Sequence, residues 1–266
     1  MSATVPDRAY RLEPYAYSEA RALADGLGVS DPVAITLVRR GYRTVEAARE
    51  FLAARESHNP FEFDAMEEVC ARVLDAVGAG RRITVHGDYD VDGVCSTAIL
   101  VGAVRELGGR CDWFIPDRLA DGYGLTEAGI GRLAARGTEL LVTVDCGITA
   151  VREVAVAHAA GVEVVVTDHH VPGESLPDCP ILHPVLSGYP CPDLCATGVA
   201  HKLSLALRQR ATDDPATADA KRSTSQDLDL VALATVADMV PLTGENRALV
   251  RRGLAVARRA RRPGLR

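Results

Sequence analysis

Four groups able to bind a metal alternate along one short stretch. His86, Asp88, Asp90 and Asp92 lie in Ile83-Thr-Val-His-Gly-Asp-Tyr-Asp-Val-Asp-Gly-Val94. Three carboxylates this close repel one another unless protons or cations intervene. Carboxylate oxygens suit Mg²⁺ or Mn²⁺, and an imidazole shifts the preference toward Mn²⁺ and other transition metals. In an extended chain alternate side chains point the same way, so the four groups would share one side until the backbone turns. Gly87 and Gly93 permit that turn. The plain alternative is a solvated acidic turn. Its place directly after a β-branched run favours a binding site, because open α/β sheets take their ligands beyond the carboxyl ends of strands.

Two further apolar runs end in the same way. Leu141-Val-Thr-Val-Asp145-Cys-Gly-Ile ends in an acid and a glycine, and Val164-Val-Val-Thr-Asp168-His169-His170 in an acid and two imidazoles. One such aspartate is explained as a helix N-cap; three strand ends of this kind are not. Asp238, in Leu233-Ala-Thr-Val-Ala-Asp-Met-Val-Pro241, lies in an apolar run where a charge is costly without a partner. Two imitations fail. Asp88-x-Asp90-x-Asp92-Gly93 copies half of a calcium EF-hand loop, but Ile99 stands where the bidentate glutamate belongs. Asp90-Val-Asp92-Gly93-Val94 imitates the nucleophile turn of haloacid-dehalogenase-type phosphatases, a reading that leaves His86 and Asp168-His-His without a role.

Positioning these groups requires strands and helices in alternation. Apolar, β-branched runs predict strands over 83–85, 112–115, 140–144, 163–166 and 180–183. Helical patterns fall at 94–107, 126–135, 150–160 and 199–208. Continuous runs such as Val-Glu-Val-Val-Val-Thr indicate strands buried on both faces. The fold class is therefore α/β, a mostly parallel sheet with helices on both faces, preceded by a small helical N-terminal region. In that preface Asp31-Pro32 reads as a helix N-cap, Thr44 as the next, and Asp64 as the cap of a helix through residue 77. The Ala-, Thr-, Asp- and Ser-rich segment 211–225 reads as a surface loop.

The 266 residues carry a net charge of −6 with 47% hydrophobic content, which supplies a sizeable core and argues against a globally basic nucleic-acid binder. Seven cysteines without a CxxC pair, no apolar signal segment and no apolar run long enough to span a bilayer lead to the expectation of a cytoplasmic protein with reduced thiols and no membrane association. Cys191-x-x-x-Cys195 lacks the second pair that a zinc site needs.

Taken together, His-Gly-Asp-Tyr-Asp-Val-Asp-Gly, Val-Asp-Cys-Gly-Ile, Thr-Asp-His-His and Thr-Val-Ala-Asp-Met-Val-Pro-Leu resemble the four motifs of the DHH phosphoesterases, in order. Ile115-Pro-Asp-Arg, Asp121-Gly-Tyr-Gly-Leu, Ala196-Thr-Gly-Val-Ala-His-Lys-Leu and Thr243-Gly-Glu-Asn-Arg resemble more narrowly the RecJ-type single-stranded-DNA exonucleases. The resemblance implies two divalent cations, Mn²⁺ or Mg²⁺. His86, Asp90 and Asp145 would hold one; Asp92, Asp145, His169 and Asp238 would hold the other. Asp88 and Asp168 would orient the ligands, and His170 would face the substrate phosphate as a general acid or charge stabiliser. Arg118 and Tyr123 would contact phosphate or base. The implied reaction is hydrolysis of single-stranded DNA from the 5′ end to 5′-mononucleotides, in repair and recombination. Single-strand-binding protein or other repair proteins are the implied partners.

The alternatives are a DHH-type hydrolase of short oligonucleotides, cyclic dinucleotides or pyrophosphate, and a non-catalytic nucleic-acid or partner-binding fragment. Two positions depart from the family: His183-Pro stands where Asn-Pro is usual, and His201 where Phe is usual. The implied organisation is a helical region over 1–80, a phosphoesterase domain over 81–245 and the start of a connecting helix over 246–266. RecJ-type proteins continue into a second lobe and an OB-type domain, so weak, poorly processive cleavage is expected of this chain alone. Arg247, Arg251, Arg252, Arg258, Arg259, Arg261, Arg262 and Arg266, if on one helix, would form a track for a phosphate backbone.

Overall fold

The computed structural model describes residues 14–213, 227–259 and 262–266. They divide into two compact units, with the boundary between Arg55 and Glu56. The first unit holds helices α1 (Tyr17–Leu27), α2 (Asp31–Arg39) and α3 (Val45–Ala53). Ala20, Leu23, Ala34, Leu37, Val38 and Ala48 form its small core. Thr44 caps α3 as expected, its hydroxyl accepting the Ala47 N–H at 3.2 Å. Ser30, rather than Asp31, is the N-cap of α2, so Asp31 and Pro32 already lie in the first turn.

The second unit starts with α4 (Met66–Gly78). Met66, Val69, Cys70, Val73 and Ala76 of α4 pack in the same core as the sheet. This helix, grouped by sequence with the helical preface, therefore folds with the strands. Asp64 does not cap it; Ala65 is the N-cap and no side chain bonds there.

Five strands follow: β1 (Arg82–His86), β2 (Arg110–Phe114), β3 (Leu140–Val144), β4 (Glu163–Thr167) and β5 (Ile181–Leu182). They form one sheet in the order β2-β1-β3-β4-β5, and every pair is parallel. His86 stands opposite Thr143, and Val144 opposite Thr167, so the strand ends are nearly level. Alternation along the strands feeds both faces. Ile83, Val85, Leu140, Val142, Val144 and Val165 join one cluster with α4, α5 (Val91–Glu106) and α8 (Ala196–Asp213). Leu141, Val164 and Val166 join another with α6 (Glu127–Ala135) and α7 (Val151–Ala159). The expected α/β architecture with helices on both faces is the one observed.

The chain runs from β1 out to the edge strand β2, then returns across β1 to β3. Such a reversal opens a crevice beyond the carboxyl ends of the two strands between which the order turns. Here those strands are β1 and β3. Two last helices complete the unit: α9 (Leu228–Ala237), packed on α5, and α10 (Gly244–Ala257), packed on α9.

α8 extends to Asp213, so the loop expected from residue 211 begins later, and the rest of it lies outside the described residues. The helix expected over 246–266 stops at Ala257. Arg262 pairs instead with Asp227 at 2.8 Å and Asp229 at 2.9 Å. The eight arginines thus do not share one helix, and Arg261 lies outside the described residues. Among the described residues no helix is long and apolar enough to cross a membrane.

Candidate metal centre

β1 delivers His86 to the crevice, and the next residues fold back tightly. A Cβ on Gly87 would lie 2.0 Å from the Thr97 hydroxyl, and one on Gly93 would lie 2.4 Å from the Asp88 carbonyl oxygen. Only glycine admits that approach. Helix α5 begins at Val91, earlier than the sequence suggested, and this ends the alternation of the acids. Asp90 becomes the N-cap and accepts the Gly93 N–H at 2.9 Å. Asp92 turns inward within the first turn and is 2% exposed. Its two carboxylate oxygens accept the N–H groups of Ala196, at 2.7 Å, and Thr197, at 2.8 Å.

β3 ends in Asp145, held at φ +64°, a backbone region that non-glycine residues seldom adopt. Its carboxylate is buried, and neither oxygen has a hydrogen-bond partner. β4 ends in Asp168, whose oxygens accept the N–H of Ile148 at 3.0 Å, the N–H of His169 at 2.8 Å and Nδ1 of His170 at 2.8 Å. Burial alone would push the Asp168 carboxyl up. The His170 hydrogen bond and the backbone donors outweigh burial and hold it below the usual carboxylate range. The same bond raises the His170 imidazole.

His169 is the hub of the cluster. Its Nε2 lies 3.3 Å from Asp145, 3.7 Å from Asp92 and 3.7 Å from Asp238. Asp238 is the C-cap of α9, where the carbonyl end of a helix disfavours an anion. Met239 follows in a left-handed conformation at φ +58°. Burial raises the Asp238 carboxyl above its ordinary range.

Three overlapping trios each bring one ligand atom per residue within 4.8 Å of the others: Asp88, Asp90 and Asp145; Asp92, His169 and Asp238; Asp145, His169 and His170. Burial, and then the charges of Asp92 and Asp90, push the Asp145 carboxyl up to about 10. Both oxygens of Asp145 and Nε2 of His169 are buried polar atoms without a hydrogen-bond partner. Unsatisfied buried groups of this kind are rare and costly. A divalent cation would satisfy all three atoms and offset the clustered charge, so the residues present fit the metals that their types suggest.

The sequence-derived site residues therefore largely converge, with differences of detail. His86 is buried, its ring 5.2 Å from that of Phe114 and its Nδ1 3.6 Å from Cys146 Sγ. Burial lowers its pKa to about 4, leaving a neutral imidazole. It stands outside the three trios, whereas Asp88, expected to act from behind, stands in one. Tyr123 is 55% exposed, with its ring 6.4 Å from that of His170. Arg118 lies over Tyr89, 5.3 Å from the ring centroid. Tyr89 also meets Tyr123 edge to face at 6.4 Å. Sequence reasoning gave Tyr89 no role, although an aromatic between two aspartates was a visible signal. His183, the departure from Asn, holds the His170 carbonyl through Nε2 at 2.8 Å.

Residues 82–235 match the DHH family, N-terminal domain. The single-stranded-DNA-specific exonuclease RecJ of Bacillus subtilis (strain 168) is 40% identical over 252 residues, which cover 93% of this chain and 30% of the relative. The crystal structure of RecJ from Thermus thermophilus in complex with Mn²⁺ aligns with a TM-score of 0.77 and 34% identity, over 96% of this chain and 35% of that one. Its complex with Mg²⁺ aligns with a TM-score of 0.65 and 30% identity, over 96% and 32%. The chain spans about a third of the length of these relatives.

Proposed function

This chain belongs to the DHH family, and from that premise we propose that it hydrolyses phosphodiester bonds of single-stranded DNA with two divalent cations. One observation carries the reading: three strand ends and the end of α9 converge on Asp145 and His169, whose buried ligand atoms lack partners. The relative at 40% identity, named a single-stranded-DNA-specific exonuclease, supports the substrate class. The relatives solved with Mn²⁺ and with Mg²⁺ support the metals.

Cations bound here would supply Lewis-acid chemistry, activating water and neutralising charge on the phosphate. Asp88, Asp90 and Asp145 would hold one ion, and Asp92, Asp145, His169 and Asp238 the other, with Asp145 common to both. His86, expected among the ligands of the first ion, is held between Cys146 and Phe114 and is neutral, the form in which an imidazole ligates, so it would complete that ion's set. Asp168 accepts the Nδ1–H of His170 and fixes the ring. The half-exposed His170 then offers its other nitrogen to a phosphate or leaving oxygen as a proton donor. Arg118, Tyr123 and Tyr89 would grip phosphate and base at the rim. Release of 5′-mononucleotides from the 5′ end is the polarity that the motif resemblance implies.

The test is incubation with 5′-labelled single-stranded DNA, duplex DNA and a dinucleotide, in Mn²⁺, in Mg²⁺ and in excess EDTA. Labelled mononucleotide from the single strand is expected in either metal, with Mn²⁺ at least as effective as Mg²⁺, since imidazole and carboxylate are mixed at the site. Full turnover in EDTA would overturn the metal-dependent reading. Faster cleavage of the dinucleotide than of the strand would move the substrate to short oligonucleotides.

A further inference from the structure

Asp92 is fastened to a helix that begins more than a hundred residues later, by three separate hydrogen bonds. Its Oδ2 accepts the N–H of Ala196 at 2.7 Å and its Oδ1 the N–H of Thr197 at 2.8 Å. Its main-chain carbonyl accepts the Thr197 hydroxyl at 3.0 Å. Asp92, Ala196 and Thr197 are all essentially buried. Ala196 and Thr197 are the first two residues of α8, so their N–H groups have no carbonyl to bond within the helix. A carboxylate there is favoured by the helix dipole as well as by the bonds. In effect Asp92, from α5, caps α8.

The same carboxylate faces the metal centre, with Oδ2 lying 3.7 Å from His169 Nε2. Each of its oxygens has two lone pairs. One is engaged by α8, and the other is left for a cation. The two N–H donors therefore decide where the remaining lone pairs point, and they do so without touching the ion. The Thr197 hydroxyl holds the backbone of the first turn of α5 in register with them. Ser96 assists from within α5, its hydroxyl donating to the same Asp92 carbonyl at 2.7 Å.

We propose that Ala196 and Thr197, at the start of α8, are positioning residues that orient Asp92 toward the cation shared with His169 and Asp238. The inference rests on the reading of Asp92 as a metal ligand. It extends that reading to a helix whose opening residues touch neither metal nor substrate. Partners of this kind, behind a ligand, are worth about 10–100-fold in metal affinity.

Two substitutions separate positioning from folding. Ala196→Pro removes the N–H that reaches Oδ2 and sets its ring Cδ against that oxygen, so it displaces the carboxylate, while proline suits the first position of a helix and costs no helical bond there. Thr197→Val removes the hydroxyl while keeping the branched shape, and Thr197→Ser keeps the hydroxyl. Mn²⁺ binding by the full chain is measured by equilibrium dialysis, alongside thermal unfolding of the metal-free protein. The expected result is that Ala196→Pro and Thr197→Val each weaken one of two ions by about 10-fold. The other ion is unchanged, and Thr197→Ser binds both as the wild type does. Wild-type binding of both ions by Ala196→Pro and by Thr197→Val would overturn the proposal. Equal weakening of both ions, in step with a lower unfolding temperature, would also overturn it, since that marks a structural role alone. Asp92→Ala is the control on the premise: if it keeps both ions at wild-type affinity, Asp92 is not a ligand, and the inference falls with the reading that it rests on.

Discussion

Asp145→Asn should stabilise the metal-free protein while abolishing its capacity for metal. In the absence of a cation the Asp145 carboxyl is pushed up to about 10 by burial and by the charges of Asp92 and Asp90. In the unfolded chain it titrates near its ordinary value of about 3.9. Between those values the folded state binds more protons than the unfolded state, so stability falls as pH rises above about 4. At pH 7 the loss spans roughly 3 pH units at about 1.4 kcal/mol each, or on the order of 4 kcal/mol. Asparagine carries no charge, keeps the shape and tolerates the left-handed backbone at φ +64°. It should recover about 2–4 kcal/mol of the loss, an upward shift of roughly 4–16 °C in Tm for a unit of this size. The assay is thermal unfolding of wild type and variant in EDTA from pH 5 to pH 8, repeated in Mn²⁺. In EDTA the variant should unfold at the higher temperature and lose less stability with rising pH. In Mn²⁺ the wild type alone should gain. A variant less stable than wild type in EDTA at pH 7, or one showing the same pH slope, would refute the picture of clustered, unpaired carboxylates awaiting a cation.

Two further predictions concern groups away from the metals. His201 is buried in α8, Nδ1 lacks a partner, and burial, aided by Lys202 and Arg208, lowers its pKa to about 3. The unfolded ring takes up a proton below about 6.5, whereas the folded ring resists until far lower pH, so stability is lost as pH falls. His201→Phe should remove about 2 kcal/mol of the loss between pH 6.5 and pH 5, read from urea midpoints, and an unchanged acid slope would refute it. Lys202 and Glu245 form a buried ion pair, with Tyr189 donating to Glu245 at 2.6 Å. Lys202→Met leaves that carboxylate uncompensated and should cost about 3–5 kcal/mol in chemical denaturation, with part recovered by adding Glu245→Gln. A loss under about 1 kcal/mol would contradict it.

The sequence alone determined the elements whose causes are local. Continuous β-branched runs fixed three of the five strands, β1, β3 and β4, as the buried centre of a parallel sheet, because such runs leave no polar face for solvent. Acids placed at strand ends declared a site, because the carboxyl ends of parallel strands share one edge whatever the packing of the helices. Thr44 declared its helix for the same reason, since a cap bonds only to residues beside it. What the tertiary structure decided depends on contacts distant in sequence. α5 starts inside the acidic motif and sends Asp92 to α8, a partner 104 residues away. The alternation of acids predicted one shared side, but a helical turn rotates them apart once Asp90 becomes the cap. His86 is drawn into the core between Cys146 and Phe114 by strands that meet only in the folded sheet. α4 joins the sheet rather than the helices before it because its apolar stripe fits that core, which no local pattern names. Asp238 reaches His169 because α9 packs on α5 and ends at the crevice. Spacing along the chain supplied the ligand types, and the packing of helices on the two faces of the sheet chose which of them meet.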